Sequence, residues 1–287
     1  MDERRRLINL GYRMLGSVAE AEDAVQETYA RWYALTPAER AAIGNPPGWL
    51  TTVASRICLN VLNSARARRE RYVGEWLPEP LPDRREWAGG ADPADRITLD
   101  ESISMAFLVV LESMTPAERV AFVLHDVFRY PFDEVAAIVG RTPAACRQLA
   151  SSARRRIDTA RAPERPATEQ ARVVRDFKLA WEAQDIEALI GLLDPNVTAT
   201  ADGGGRALTF VEPIRGADDV ATAWVELARR SLGSHALVEC TVNGRPGLVS
   251  RHDGVVVTVF AFDVAGGRVR RIWVVRNPEK LRAWTAG

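Results

Sequence analysis

Arg147, Arg154, Arg155 and Arg156 recur on one stretch of chain, residues 135–157, that contains no acid at all. Guanidinium groups in such a row are suited to one chemistry above others, the charge-assisted contact with phosphate. The 287-residue chain balances 38 Lys and Arg against 38 Asp and Glu, so the positive face is local and not a reflection of overall charge. The elements that must carry it are marked by their ends. Thr115-Pro116-Ala117-Glu118 is a capping box with proline at the first helical position, and Thr142-Pro143 repeats the N-cap and proline signal. Between them, residues 132–139 form a short apolar-stripe pattern closed by Gly140, which can adopt the left-handed conformation of a tight turn. Two helices joined by a glycine turn, the second one basic, make a helix-turn-helix pattern that points to DNA. A plain helical hairpin with a solvated basic face remains open on this segment alone.

A second acid-free stretch runs from residue 40 to 69 and ends in Arg66, Arg68 and Arg69. It follows the break Asn45-Pro46-Pro47-Gly48 and predicts a helix from Trp49 to Arg69. Ahead of it, Leu7, Leu10, Gly11, Met14 and Leu15 repeat at helical spacing, Ser17 and Glu20 form another capping box, and Val18, Ala21, Val25, Tyr29 and Trp32 make an apolar stripe. Residues 73–97 are rich in proline, glycine and acids and read as an extended linker. The division expected is 1–72, linker 73–97, 98–161, and a C-terminal domain over 168–287, in keeping with ~100–200 residues per domain.

That last domain has a different texture. Residues 171–193 carry one amphipathic helical pattern, and strands dominate from residue 237. His252-Asp253-Gly254-Val255 centres a two-residue hairpin turn, and a second turn falls at Ala265-Gly266-Gly267. One curved antiparallel sheet wrapped around helices, an α+β domain with an interior pocket, is the economical solution. Cys58, Cys146 and Cys240 are few and far apart, which predicts small apolar fillers, with no disulfide framework and no metal site. No apolar run reaches the ~20 residues a membrane helix needs, and the start is charged, so a cytoplasmic protein without a membrane partner is expected.

In this order the parts resemble an extracytoplasmic-function sigma factor of bacterial RNA polymerase, in the subgroup with a fused SnoaL-like C-terminal domain. The resemblance covers essentially the whole chain. It rests on Arg13-Met14-Leu15-Gly16-Ser17, Ala21-Glu22-Asp23-Ala24-Val25-Gln26-Glu27, Trp49-Leu50-Thr51-Thr52-Val53-Ala54 and Ser64-Ala65-Arg66, ahead of the helix-turn-helix. The subgroup marks are Trp76-Leu77-Pro78-Glu79-Pro80-Leu81, Asp202-Gly203-Gly204-Gly205 and Asn277-Pro278-Glu279-Lys280-Leu281. It implies two all-α sigma modules followed by a SnoaL-like (NTF2-like) α+β curved-sheet domain. It also implies that Asp23, Gln26 and Glu27 meet core RNA polymerase at the β′ clamp helices, with the β flap a further contact. Asn60, Asn63, Ser64 and Arg66 would hold the opened −10 element through polar base-edge contacts and backbone charge. Many members of the family carry Asp and Arg where this chain has Asn60 and Asn63, so the −10 base preference is not transferred.

The resemblance places the helix from Pro143 in the major groove of the −35 element. Arg147 and Gln148 are the base readers implied by the pairing of arginine with guanine and glutamine with adenine. Arg154, Arg155 and Arg156 would hold phosphates, and Arg141 could do either. Relatives of the SnoaL-like fold include cyclases and isomerases, which need a tuned carboxylate or histidine in a pocket. Asp202, His235, His252 and Asp253 are the candidates. His252 and Asp253 fall at a turn and Asp202 in an apparent loop, so no catalytic residue is assigned and no cofactor is expected. The marks Trp76, Leu77, Pro78, Glu79, Asp202, Gly203, Gly204, Gly205, Asn277, Pro278 and Leu281 are expected to form one interface through which the C-terminal domain regulates the sigma modules in cis, with a small apolar ligand in its pocket. A ligand-responsive repressor that binds duplex DNA without polymerase is the rival account.

Overall fold

The computed structural model describes residues 3–69, 72–83, 103–160, 167–231 and 235–285. The expected linker beyond Asp83, with Glu86, Asp92 and Asp95, lies outside them, as do residues 161–166. The chain divides into two compact units, one containing the helices up to residue 161 and one containing residues 72–83 with the C-terminal domain. Among the described residues no helix is long and apolar enough to cross a membrane.

In the first unit α1 (Glu3–Leu15) and α2 (Val18–Ala34) pack closely because Gly11 has no side chain. A Cβ there would stand 2.9 Å from the Cβ of Ala21. Ser17 caps α2 by accepting from the Glu20 amide. A short helix absent from the sequence reading, α3 (Pro37–Ala42), follows its own Thr36–Glu39 capping box. Helix α4 (Pro46–Arg69) begins three residues earlier than the expected Trp49, since Asn45 accepts from the Gly48 amide at 3.1 Å and starts the turn from outside. The helical second half comprises α5 (Met105–Glu112), α6 (Pro116–Phe122), a π turn (Val123–Val127), α7 (Phe132–Val139) and α8 (Pro143–Ala160). The Thr115 capping box is complete, and Gly140 ends α7 at φ 70°. Thr142 accepts from the Ala145 amide to open α8.

The second unit is a six-stranded sheet covered by helices. Its strands are β1 (Leu193–Asp202), β2 (Ile214–Arg215), β3 (His235–Val242), β4 (Arg245–His252), β5 (Val255–Ala265) and β6 (Arg268–Val275), in spatial order β2-β1-β6-β5-β4-β3. The sheet is mixed, not wholly antiparallel as expected, because β1 pairs with β6 in parallel. A parallel pair requires a long crossover, and α11 (Ala217–Ser231) with β3 to β5 supplies it. The β3 to β6 meander turns at Asn243-Gly244, Asp253-Gly254 and Gly266-Gly267, all at positive φ, as two-residue hairpins with the primed turn geometry demand. Register shifts between Ser250 and Arg251 and between Asp263 and Val264 bend the strands.

The single helix expected over 171–193 is two, α9 (Ala167–Glu182) and α10 (Ile186–Leu192). Gln184 takes φ 56°, the Asp185 amide reaches back to the Ala180 carbonyl, and the Asp185 carboxylate caps the next helix. This corner lets α9 lie on the sheet and turns α10 toward β1. Phe177, Trp181, Trp224, Phe260 and Phe262 fill the interior, with Phe177 to Phe262 ring centres at 5.4 Å and Trp181 to Phe260 at 5.2 Å. Phe177→Ala is expected to cost about 3–5 kcal/mol in urea unfolding. Leu179→Ala, two residues on and exposed, should stay within about 0.5 kcal/mol.

Candidate functional site: DNA-facing helices and a clasped linker

Side chains on one surface of each helix are set by which residues it buries. Helix α2 buries Ala21, Ala24, Val25 and Thr28, which turns Asp23, Gln26 and Glu27 outward, and Glu27 pairs with Arg31 at 2.6 Å. Helix α4 buries Ala54, Ile57, Cys58 and Leu62 and leaves Asn60, Asn63 and Ser64 exposed. Burial, chiefly, pushes the Cys58 thiol up to about 12, as befits an inert filler. Arg66 lies in the part of α4 where the backbone alone is described.

Helix α8 buries Cys146, Ala150 and Ala153 and exposes Arg147, Gln148, Arg154, Arg155 and Arg156, with Arg141 exposed at the turn before it. These arginines are not alike. Arg154 pairs with Asp126 at 2.9 Å, and Arg156 donates to the Ser113 carbonyl at 2.8 Å and lies 3.7 Å from Glu118. Arg155 reaches the Ser151 hydroxyl, while the Arg147 guanidinium sits 5.5 Å over the Phe132 ring. Burial raises Glu118, but hydrogen bonds from the Thr115 amide and hydroxyl and from Ser152, with the charge of Arg156, outweigh it and hold the carboxyl below its ordinary value.

The two helical halves of this unit are locked together by polar contacts. Arg119, almost fully buried, donates to the Met14 carbonyl at 2.9 Å and to Glu112 at 2.6 Å. Burial brings its guanidinium down to about 9, so it stays charged at neutral pH. Tyr130 donates to Thr51 at 2.9 Å and accepts from Arg6 at 2.7 Å, and Arg56 donates to the Ala137 carbonyl at 2.9 Å. As a result Asn63 of α4 shares a cleft of about 610 Å³ with Arg141 and Gln148.

In the second unit the first stretch of the linker is clasped by the C-terminal domain. The carboxylate of Asp202, the fully buried last residue of β1, receives four donors. Its Oδ1 accepts from the Tyr72 hydroxyl at 2.6 Å and the Gly204 amide at 3.0 Å; its Oδ2 accepts from the Leu77 amide at 2.9 Å and Lys280 Nζ at 2.7 Å. Lys280 also donates to the Leu77 carbonyl and stands 3.8 Å from the centre of the Trp76 ring. Asn277 donates to the Tyr72 hydroxyl at 2.9 Å. Gly204 sits at φ 62° so near Asn277 that a Cβ would meet its side-chain nitrogen at 2.4 Å. Leu77, Pro78, Glu79, Pro80 and Leu81 are buried. Further along, Leu81 and Asn243 exchange two hydrogen bonds, Trp284 donates to the Pro80 carbonyl at 2.8 Å, and Pro82 bridges Val242 at the edge of β3. Leu281 is buried and Pro278 exposed.

Residues 1–69 match Sigma-70 region 2, and residues 104–157 match Sigma-70, region 4. Over 97% of its length the chain is 38% identical to ECF RNA polymerase sigma factor SigJ of Mycobacterium tuberculosis (strain ATCC 25618 / H37Rv), covering 90% of that protein. The chain belongs to the ECF sigma factors of RNA polymerase. As such it is a promoter-specific initiation factor. It is also 35% identical over 97% of its length to the probable ECF sigma factor SigI of Mycobacterium tuberculosis (strain CDC 1551 / Oshkosh), covering 92% of it. The crystal structure of Mycobacterium tuberculosis SigJ matches with a TM-score of 0.77 at 37% identity, over 98% of this chain and 96% of that one.

In this sigma factor the sequence reading placed Asp202 in a loop, whereas it terminates a strand and is wholly buried. Of the catalytic candidates, His235 lines the cavity of the C-terminal domain; His252 stacks on His235 at 4.8 Å, and Asp253 occupies the turn. Tyr72, Asn243 and Trp284 were missed as linker partners, and Lys280, inside the mark at residues 277–281, was given no role of its own. One signal was available for Lys280: it is one of only two lysines among 38 basic residues. A compact ammonium can donate to a carbonyl and a carboxylate over a ring in a space that the broad guanidinium fork does not fit.

Asp202→Asn puts an amide among donors and leaves Lys280 without its counter-charge, so it should cost about 3–5 kcal/mol of stability in urea. Lys280→Arg should fail to restore the Trp76 environment, read by fluorescence. Burial first, and then the bond to Asp202, hold the Tyr72 phenol above its ordinary value near 10. Its contribution is therefore complete below that pH and is lost as the pH rises above it. Linker clasping should weaken only in strong alkali, and Tyr72→Phe should flatten that dependence.

Proposed function

We propose that the sigma factor binds core polymerase through Asp23, Gln26 and Glu27 on the β′ clamp helices and through the helix-turn-helix half on the β flap. Asn60, Asn63, Ser64 and Arg66 then hold the −10 element, while Arg147, Gln148 and Arg141 read the −35 element and Arg154, Arg155 and Arg156 hold its backbone. Elements about 25 base pairs apart stand about 85 Å apart along DNA at ~3.4 Å per pair. Asn63 and Gln148 line one cleft, so the two halves must separate before both elements are occupied. Arg154 and Arg156 exchange their internal acids for phosphates in that step.

The C-terminal domain regulates this opening in cis. The observation that carries the reading is the Asp202 clasp: the segment joining the two DNA-reading halves is itself bound by the C-terminal domain. Release of residues 72–83 frees more of the chain that joins the halves, and each ~1.4 kcal/mol of bias changes the open fraction tenfold. The cavity of that domain takes a small apolar ligand that adjusts the bias.

Reconstituted transcription over a promoter library tests the reading. The full chain should give promoter-specific transcripts with bacterial core polymerase, and Asp202→Asn or removal of everything after residue 165 should change their level. Failure of every version to bind core polymerase would return the chain to the ligand-responsive repressor account. Gln148→Ala should cost about 1–3 kcal/mol of preference at its base pair. Arg155→Ala should weaken all sequences alike and lower the salt slope by about 1.

A further inference from the structure

The C-terminal domain encloses a cavity of about 590 Å³, within the ordinary size of a small-molecule site. Its walls are aromatic and aliphatic, with Trp181, Phe210, Trp224, Leu237 and Phe260 among them. Leu208 at its rim is 87% exposed, an apolar side chain held in water beside an apolar opening. Shape and lining thus fit an apolar body.

The polar groups add a sharper requirement. Trp181 donates its indole N–H to the Trp224 carbonyl at 2.8 Å, so this wall satisfies a buried donor where a partner is in reach. The indole N–H of Trp224, itself 2% exposed, has no acceptor, and neither has the buried Nε–H of Arg276 on the same cavity. Arg276 is held in place by a bond from its Nη1 to the Leu208 carbonyl. Buried donors without acceptors are rare and costly. Both orphans are donors and one belongs to a guanidinium, so the missing partner is an acceptor, best supplied as an anion. Burial lowers the affinity of Arg276 for its proton, and a bound anion offsets that cost.

We propose that this cavity binds an apolar monocarboxylate, its body among the aromatic rings and its carboxylate at Arg276 and Trp224. The proposal rests on the apolar-ligand reading of the cavity and specifies the headgroup. The site adjoins the clasp, since the Arg276 and Asn277 amides both donate to the Asp202 carbonyl.

The test is calorimetric titration of the full chain with 2-naphthoate and with decanoate, each compared with its primary amide, which has the same shape without the charge. At least one acid should bind tenfold or more tighter than its amide. In Arg276→Gln that preference should disappear while the amide's affinity stays within twofold; Trp224→Phe should lower acid affinity without emptying the cavity. Equal affinity of acid and amide in the wild-type chain overturns the carboxylate assignment and leaves an apolar site. No binding of any of the four overturns both the assignment and the apolar-ligand reading. The wild-type comparison decides the matter even if a variant does not fold.

Discussion

A single buried carboxylate organises the second unit of this protein. Asp202 ends the strand that makes the only parallel pairing among the described strands, and its two oxygens accept four donors from the linker, the glycine turn and the C-terminal tail. Taking a carboxylate and an ammonium out of water is costly, and the cost is offset only when every lone pair finds a donor in good geometry. That condition explains the company Asp202 keeps: a glycine where a side chain would strike Asn277, a lysine in an arginine-rich chain, and a tyrosine whose hydroxyl both gives and receives. Remove Asp202 or Lys280 and the other is left as an unpaired buried charge.

The sigma halves show a parallel economy on a different scale. Their apolar interiors are conventional, but what holds one half to the other is polar: Arg119 on the Met14 carbonyl, Tyr130 between Arg6 and Thr51, Arg56 on the Ala137 carbonyl. The exposed Arg56 contact can exchange with water, whereas the buried Arg119 contact holds only while its carbonyl and carboxylate partners stay in place. The arrangement suits the separation of the halves proposed above.

Much of this architecture was legible in the sequence wherever a local rule applies. The Thr115 and Ser17 caps, Gly140 as a left-handed stop, and the Asp253-Gly254 turn follow from side chains acting on their own backbone. Nonlocal features were not. Nothing in residues 193–202 announces a parallel partner in residues 268–275, and the corner at Gln184 is made by a residue with no strong preference for positive φ. The basic face of α8 was visible as composition, but the engagement of Arg154 and Arg156 with their own acids depends on the fold. Tyr72 lies outside the motifs and Lys280 inside one that gives it no role of its own, and only the buried carboxylate between them reveals their purpose.

The clasp also joins positions far apart in the order of synthesis. Leu77 and Lys280 are 203 residues apart. Both DNA-reading halves are complete by residue 160, some 120 residues before Lys280 leaves the ribosome. At ~5–20 residues per second, the nascent chain exists for about 6–24 s with its sigma halves made and its linker unclasped. The Lys280 contacts of the clasp therefore form only after both sigma halves have been made, and a newly made molecule passes through an interval without them.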